Sequence, residues 1–167
     1  MKYVVCMPFI HRAYAEECIA TWKWGSVGDP NVVVVDNTWK NIGIMAAHNL
    51  GRKTMLEQEA DWLIVCSAAI RFGAPGGLDF VEELGNRSGH DVVEGAGVFG
   101  WHLIAFSNDI MQRVGEWDEN FTPYGFDDID LTLRIQRTPK RDGRTVQLWE
   151  KAVIDVTDMG MGHSIHL

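Results

Sequence analysis

The sequence predicts an α/β domain built on a mostly parallel mixed sheet flanked by helices, and three observations carry that prediction. Apolar runs of strand length occur at Tyr3 to Met7, Val32 to Val35 and Trp62 to Cys66. The segments between them switch to helical spacing, and alternating strands and helices are how neighbouring strands come to lie parallel. Finally, Asp36, Asn37 and Thr38 follow the second run at once, which puts polar side chains at the C-terminal end of a strand, where open α/β sheets bind ligands.

Taken in order, Tyr3 to Met7 reads as a strand buried on both faces and closed by Pro8. Ala15, Cys18, Ile19 and Trp22 recur at helical spacing between Tyr14 and Trp24, and Gly25 supplies a stop. After the β-branched run Val32 to Val35, a helix is expected from Ile44 to about Glu59, then the third strand, Trp62 to Cys66. Ser67 to Phe72 leads into Gly73, Pro75, Gly76 and Gly77 and reads as a loop. Further expectations are a short helix over Leu78 to Leu84, a loop over Asn86 to Asp91, and strands at Val92 to Glu94 and Val98 to Ser107, the last interrupted by Gly100 and carrying Trp101 and His102. A short helix over Asn108 to Val114 follows. Pro139 to Arg144 turns the chain, Val146 to Trp149 and Val153 to Val156 read as strands, and the tail from Met159 reads as flexible.

The densest chemistry lies between Gly115 and Arg137. An aromatic, glycine-containing loop (Trp117, Phe121, Tyr124, Gly125, Phe126) runs into Asp127, Asp128 and Asp130. Ile129, Leu131, Leu133 and Ile135 alternate as in a strand, but acids crowd the start of the segment and Arg134, Arg137, Lys140 and Arg141 its end, as the helix dipole favours. The expectation is a helix buried on two sides, with its carboxylates beside unpaired backbone N–H groups. A solvated first turn would by itself account for such acids, and that reading suffices for Asp130.

At 167 residues the chain fits one domain, 1–167. The 23 acidic residues outnumber the 15 basic ones, and a net charge of −8 speaks against nucleic acid as a direct partner, because phosphate backbones select basic surfaces. Cys6, Cys18 and Cys66 are odd in number, widely spaced and set in apolar runs, which indicates reduced core thiols rather than a disulfide framework or a zinc site. The N-terminus enters a strand-like run without a signal-peptide pattern, and no stretch reaches transmembrane length, so a cytoplasmic protein is expected.

With these residues in hand, the chain resembles glycosyltransferases of the GT-A fold over nearly its whole length, in particular the inverting family 2 enzymes and the galactosyltransferase-like C-terminal half. The strongest match is Val114-Gly115-Glu116-Trp117-Asp118-Glu119-Asn120-Phe121 through Asp127-Asp128-Ile129-Asp130-Leu131 and Arg134. It is similar to the family's Gly-Gly-Phe-Asp-Glu-x-Phe and Glu-Asp-x-Asp-Leu signatures, with Asp127 in place of the glutamate. Val35-Asp36-Asn37, Asn41-x-Gly43 and Asn49 are similar to the donor-binding half. The resemblance implies a nucleotide-sugar donor and a glycan or protein acceptor whose hydroxyl is activated by Asp128 as general base, with Asp127 orienting a hydroxyl. It implies donor contacts from Pro8, His11, Asp36, Asn41, Gly43, Asn49 and Ser67, with Asp36 reading the base. Trp117 and Tyr124 are expected to stack on a sugar face.

One departure matters. Where the family carries an Asp-x-Asp pair that holds Mn2+ or Mg2+, this chain reads Ser67-Ala68-Ala69, and alanine offers a hard cation no oxygen. Arg71, Arg52 or His163 could then meet the diphosphate charge, and His163 lies where relatives often place a metal-binding histidine. The alternative is a catalytically silent fold that binds a nucleotide-sugar, a glycan or a protein. The chain is short for a separate acceptor domain, so acceptor choice falls to loops, to a neighbour in a homo-oligomer or to another protein.

Overall fold

The structure, a computed structural model, describes residues 1–22, 31–72, 78–87, 89–95, 100–121, 126–139, 150–152 and 156–158. Its elements in order are β1 (Tyr3–Phe9), α1 (Arg12–Trp22), β2 (Asn31–Asp36), α2 (Ile44–Glu57), β3 (Trp62–Cys66), β4 (Ile70–Phe72), α3 (Leu78–Asn86) and β5 (Val92–Gly95). A 3-10 turn (Gly100–His102), β6 (Leu103–Ser107), α4 (Asn108–Val114), α5 (Asp127–Arg137), β7 (Glu150–Ala152) and β8 (Val156–Asp158) follow.

Six strands form one sheet in the order β2-β1-β3-β6-β5-β7, and β4 pairs with β8 in a separate ribbon. β1 lies parallel to both β2 and β3, while β6 runs antiparallel to β3 and β5 and β5 lies parallel to β7. The sheet is thus mixed and mostly parallel. Alternation along each strand divides the core into two layers. Val5, Met7, Ile64, Cys66, Leu103 and Ala105 face one way, onto Cys18 and Trp22 of α1 and Phe80 and Leu84 of α3. Val4, Cys6, Leu63, Val65, Ile104 and Phe106 face the other way, onto Met45 and Met55 of α2, Ile110 and Met111 of α4, and Leu131 and Ile135 of α5. Helix α2 approaches β1 closely: a Cβ at Gly51 would lie 2.6 Å from the Cβ of Cys6.

Several local expectations change. β1 continues through Pro8 to Phe9, with Pro8 paired to Val35. The pairing of β1 with β3 ends at Cys6, so Pro8 sits where its missing N–H is not needed on that side. Helix α1 begins at Arg12, where the His11 carbonyl accepts from the N–H groups of Tyr14 and Ala15. Part of the loop after Cys66 is strand β4, bonded to β8. Trp101 and His102 lie in the 3-10 turn rather than on a strand. The two last strands fall at Glu150–Ala152 and Val156–Asp158, while 146–149, 153–155 and the tail lie outside the described residues. Helix α5 is a helix as expected, but it is buried on one side: Leu131 and Ile135 are enclosed, whereas Ile129 and Leu133 are exposed. Alternating positions in sequence lie about 200° apart on a helix, so a single core-facing stripe cannot hold all four.

Candidate functional site

The parallel strands β2, β1 and β3 end along one edge, which brings Asp36, Pro8 and Ser67 to the same side of the sheet. Asp36 is the best-defined group there. Its Oδ1 accepts from the N–H of Thr38 at 2.9 Å, and its Oδ2 accepts from Arg12 at 2.9 Å. The hydrogen bonds from Thr38, and then Arg12, hold the Asp36 carboxyl below the usual carboxylate range, so it is an anion at neutral pH. The following loop is fastened by its own side chains: Asn37 is buried and accepts from the N–H of Ile42, and Asn41 accepts from the N–H of Gly43 at 2.9 Å. Gly43 has φ 83, a left-handed conformation suited to glycine, and directs the chain into α2. His11 is exposed and meets Tyr14 edge-on.

At the end of β3, Ser67 heads a tight turn. Its Oγ accepts from the N–H of Ala69, its carbonyl accepts from the N–H of Ile70, and its N–H donates to the His102 carbonyl at 2.7 Å. Arg71, suggested as a diphosphate partner, already binds Glu17 at 2.6 Å and donates to the carbonyls of Ala68 and Ile70. Arg52 donates to the Met111 carbonyl and lies 3.6 Å from Glu116. Both guanidiniums therefore act as internal braces in this structure.

The acidic motif opens α5. Asp128 is exposed on the first turn, with Oδ1 accepting from the N–H of Ile129. Asp127 is half-buried beside it, and Asp130 binds Arg134 through Oδ2 at 2.6 Å. Arg134 also donates to the carbonyls of Val114 and Glu116, so the four-residue spacing from Asp130 to Arg134 fixes the chain leading into the helix. Asn49 fixes it from α2: Oδ1 accepts from the N–H of Trp117 at 2.8 Å, and Nδ2 donates to the Trp117 carbonyl and to Glu119. With both ends of its amide committed, Asn49 is a clamp rather than a donor contact. Trp117 is 2% exposed, packed against His48 and Phe106, so its ring offers no face to a sugar. Tyr124 and His163 lie outside the described residues. Among the described residues, the hydrogen bonds of Asp128 do not reach Pro8, Asp36 or Ser67.

No protein-family model matches the chain, and no curated protein matches it in sequence. Solved structures do. The mannosyltransferase PcManGT from Pyrobaculum calidifontis, solved with GDP-Man and Mn2+, superposes with a TM-score of 0.58 at 13% identity over 91% of this chain. This chain spans 56% of that enzyme's length. A197 from STIV superposes with a TM-score of 0.51 at 13% identity, covering 69% of each chain. The fold is GT-A-like. At such identities the likeness establishes the fold and no more.

A GT-A-like fold raises the question of a divalent metal at the end of β3. The residues there do not fit one. Ser67 commits its Oγ to the turn, Ala68 and Ala69 carry no ligand atom, and among the described residues no group of three His, Cys, Asp or Glu side chains could hold a metal ion. Sequence reading placed Thr38 beside Asp36 at the strand end, where an aspartate commonly caps an N–H two residues on, but missed Arg12. It also missed Trp39, which follows Thr38 and is 91% exposed beside this edge.

Proposed function

We propose that the chain is a glycosyltransferase that moves a sugar from a nucleotide-diphosphate donor to a hydroxyl acceptor with inversion. The reading rests above all on one observation, the ionised Asp36 at the carboxyl edge of the parallel strands of a GT-A-like fold. Asp36 accepts hydrogen bonds from the donor base, with Pro8 and His11 alongside. Asp128 takes the proton of the acceptor hydroxyl as its oxygen attacks the anomeric carbon, and Asp127 orients the reacting hydroxyls. The acceptor is a glycan or a protein. The donor diphosphate is neutralised without a carboxylate-bound metal at Ser67-Ala68-Ala69, and Tyr124 and His163 remain candidates for acceptor and phosphate contact.

Calorimetric titration with nucleotides and nucleotide-sugars, each with Mn2+ and with chelator, tests the donor site. Saturable binding that survives chelation supports the proposal, and Asp36→Asn is expected to weaken it about tenfold, the worth of one hydrogen bond to a charged group. Asp128→Asn should leave that binding intact while lowering turnover by roughly 10²-fold or more. A second reading, a silent binding module, is favoured by the ligand-free turn at Ser67. It predicts saturable binding with no turnover to lose, whereas absence of any nucleotide binding sinks both.

A further inference from the structure

We propose that two copies of the chain pair through the outer face of α5, antiparallel, about a two-fold axis that passes near Leu133. On this helix Ile129 and Leu133 are 51% and 42% exposed, and Phe126, which precedes the first turn in left-handed backbone, is 67% exposed. Single exposed apolar residues are ordinary, but Ile129 and Leu133 are one turn apart and share the outer face of the helix. The inner side of the same helix is already complete, with Leu131 and Ile135 buried against the sheet.

Charge selects the occupant of that face. The first turn of α5 is acidic (Asp127, Asp128, Asp130) and its last turn basic (Arg134, Arg137). Laid antiparallel about Leu133, a second α5 brings Asp130 opposite Arg137 at each end, whereas a parallel one sets acid against acid and base against base. The register follows from the helix itself. Asp130 and Arg137 are seven residues apart and share a flank of that face. With the axis at Leu133, the leucines of the two copies touch and Asp130 faces Arg137 of the partner subunit. Asp130 uses only Oδ2 in its bond to Arg134, and Arg137 is exposed. Asp128 projects roughly 140° around the helix from Leu133, so pairing leaves it open to solvent. One helix per copy makes a contact below standard interface size, and the dimer is therefore weak and concentration-dependent.

Sedimentation velocity on the full chain, from about 1 to about 500 µM, covers the affinity range of interfaces of this size. The expected result is a monomer–dimer equilibrium within that range. Leu133→Asp should abolish it with an unchanged melting temperature, and Arg137→Glu should weaken it at least tenfold at low salt. Leu133→Cys should cross-link to its own copy under mild oxidation, because the residue lies on the axis, while Ile129→Cys should not. A chain that stays monomeric throughout, a dimer indifferent to Leu133→Asp and Arg137→Glu, or self-cross-linking through Ile129→Cys but not Leu133→Cys would each overturn the proposal. The outcome is independent of whether sugar transfer is found.

Discussion

His48 lies on α2 but has no access to solvent, and among the described residues neither ring nitrogen has a hydrogen-bond partner. Burial lowers its pKa to about 4, so it stays neutral in the folded protein while the unfolded chain binds a proton near pH 6.5. Between those values the unfolded state holds more protons, and stability must fall as the pH is lowered through that window and be fully present above it. The expected loss is about 3 kcal/mol from pH 7 to pH 4, and His48→Phe should remove this slope from urea titrations run across that range. Asn49, the next residue, clamps backbone 68 positions away, and Asn49→Ala should lower the unfolding free energy by roughly 1–3 kcal/mol by stranding the Trp117 N–H and carbonyl. Neither role could be read from sequence. An asparagine and a histidine side by side in a helix carry no mark of what reaches them from a distant loop, whereas Asp36 announced itself by following four valines.

Among the elements, α5 shows what periodicity can and cannot decide. The order of its charges identified a helix against an alternating apolar pattern, but the pattern could not tell the enclosed residues from the exposed ones. The two classes should separate by mutation. Leu131→Ala should cost about 2–5 kcal/mol by leaving a cavity against the sheet, while Leu133→Ala should stay within about 0.5 kcal/mol, both measured by denaturant unfolding at concentrations where the chain is monomeric. On α2 the decisive position is a glycine. Gly51→Ala would place a methyl group within 2.6 Å of Cys6 in β1, and moving the helix away should cost about 1–3 kcal/mol despite alanine's better helix propensity.

For the whole molecule, the succession of strands and helices was legible because each parallel strand needs a helical return. The reversed direction of β6 and the pairing of β4 with β8 were not, since strand partners are chosen by packing across long separations. The two core layers share β1, β3 and β6, so they should unfold together. Tryptophan fluorescence and far-UV circular dichroism should report coincident urea transitions, and separated midpoints would contradict a single domain. The thiols add a means of watching smaller openings. Cys6 lies in the layer under α2, while Cys18 of α1 and Cys66 of β3 meet in the other layer with their sulfurs 3.8 Å apart. All three are buried, and burial pushes Cys6 up to about 12, so none is reactive in the closed state. An alkylating reagent can therefore act only on molecules that have opened. Which cysteine is modified first would reveal which side of the sheet sheds its helices more readily, making the chain its own clock for local unfolding.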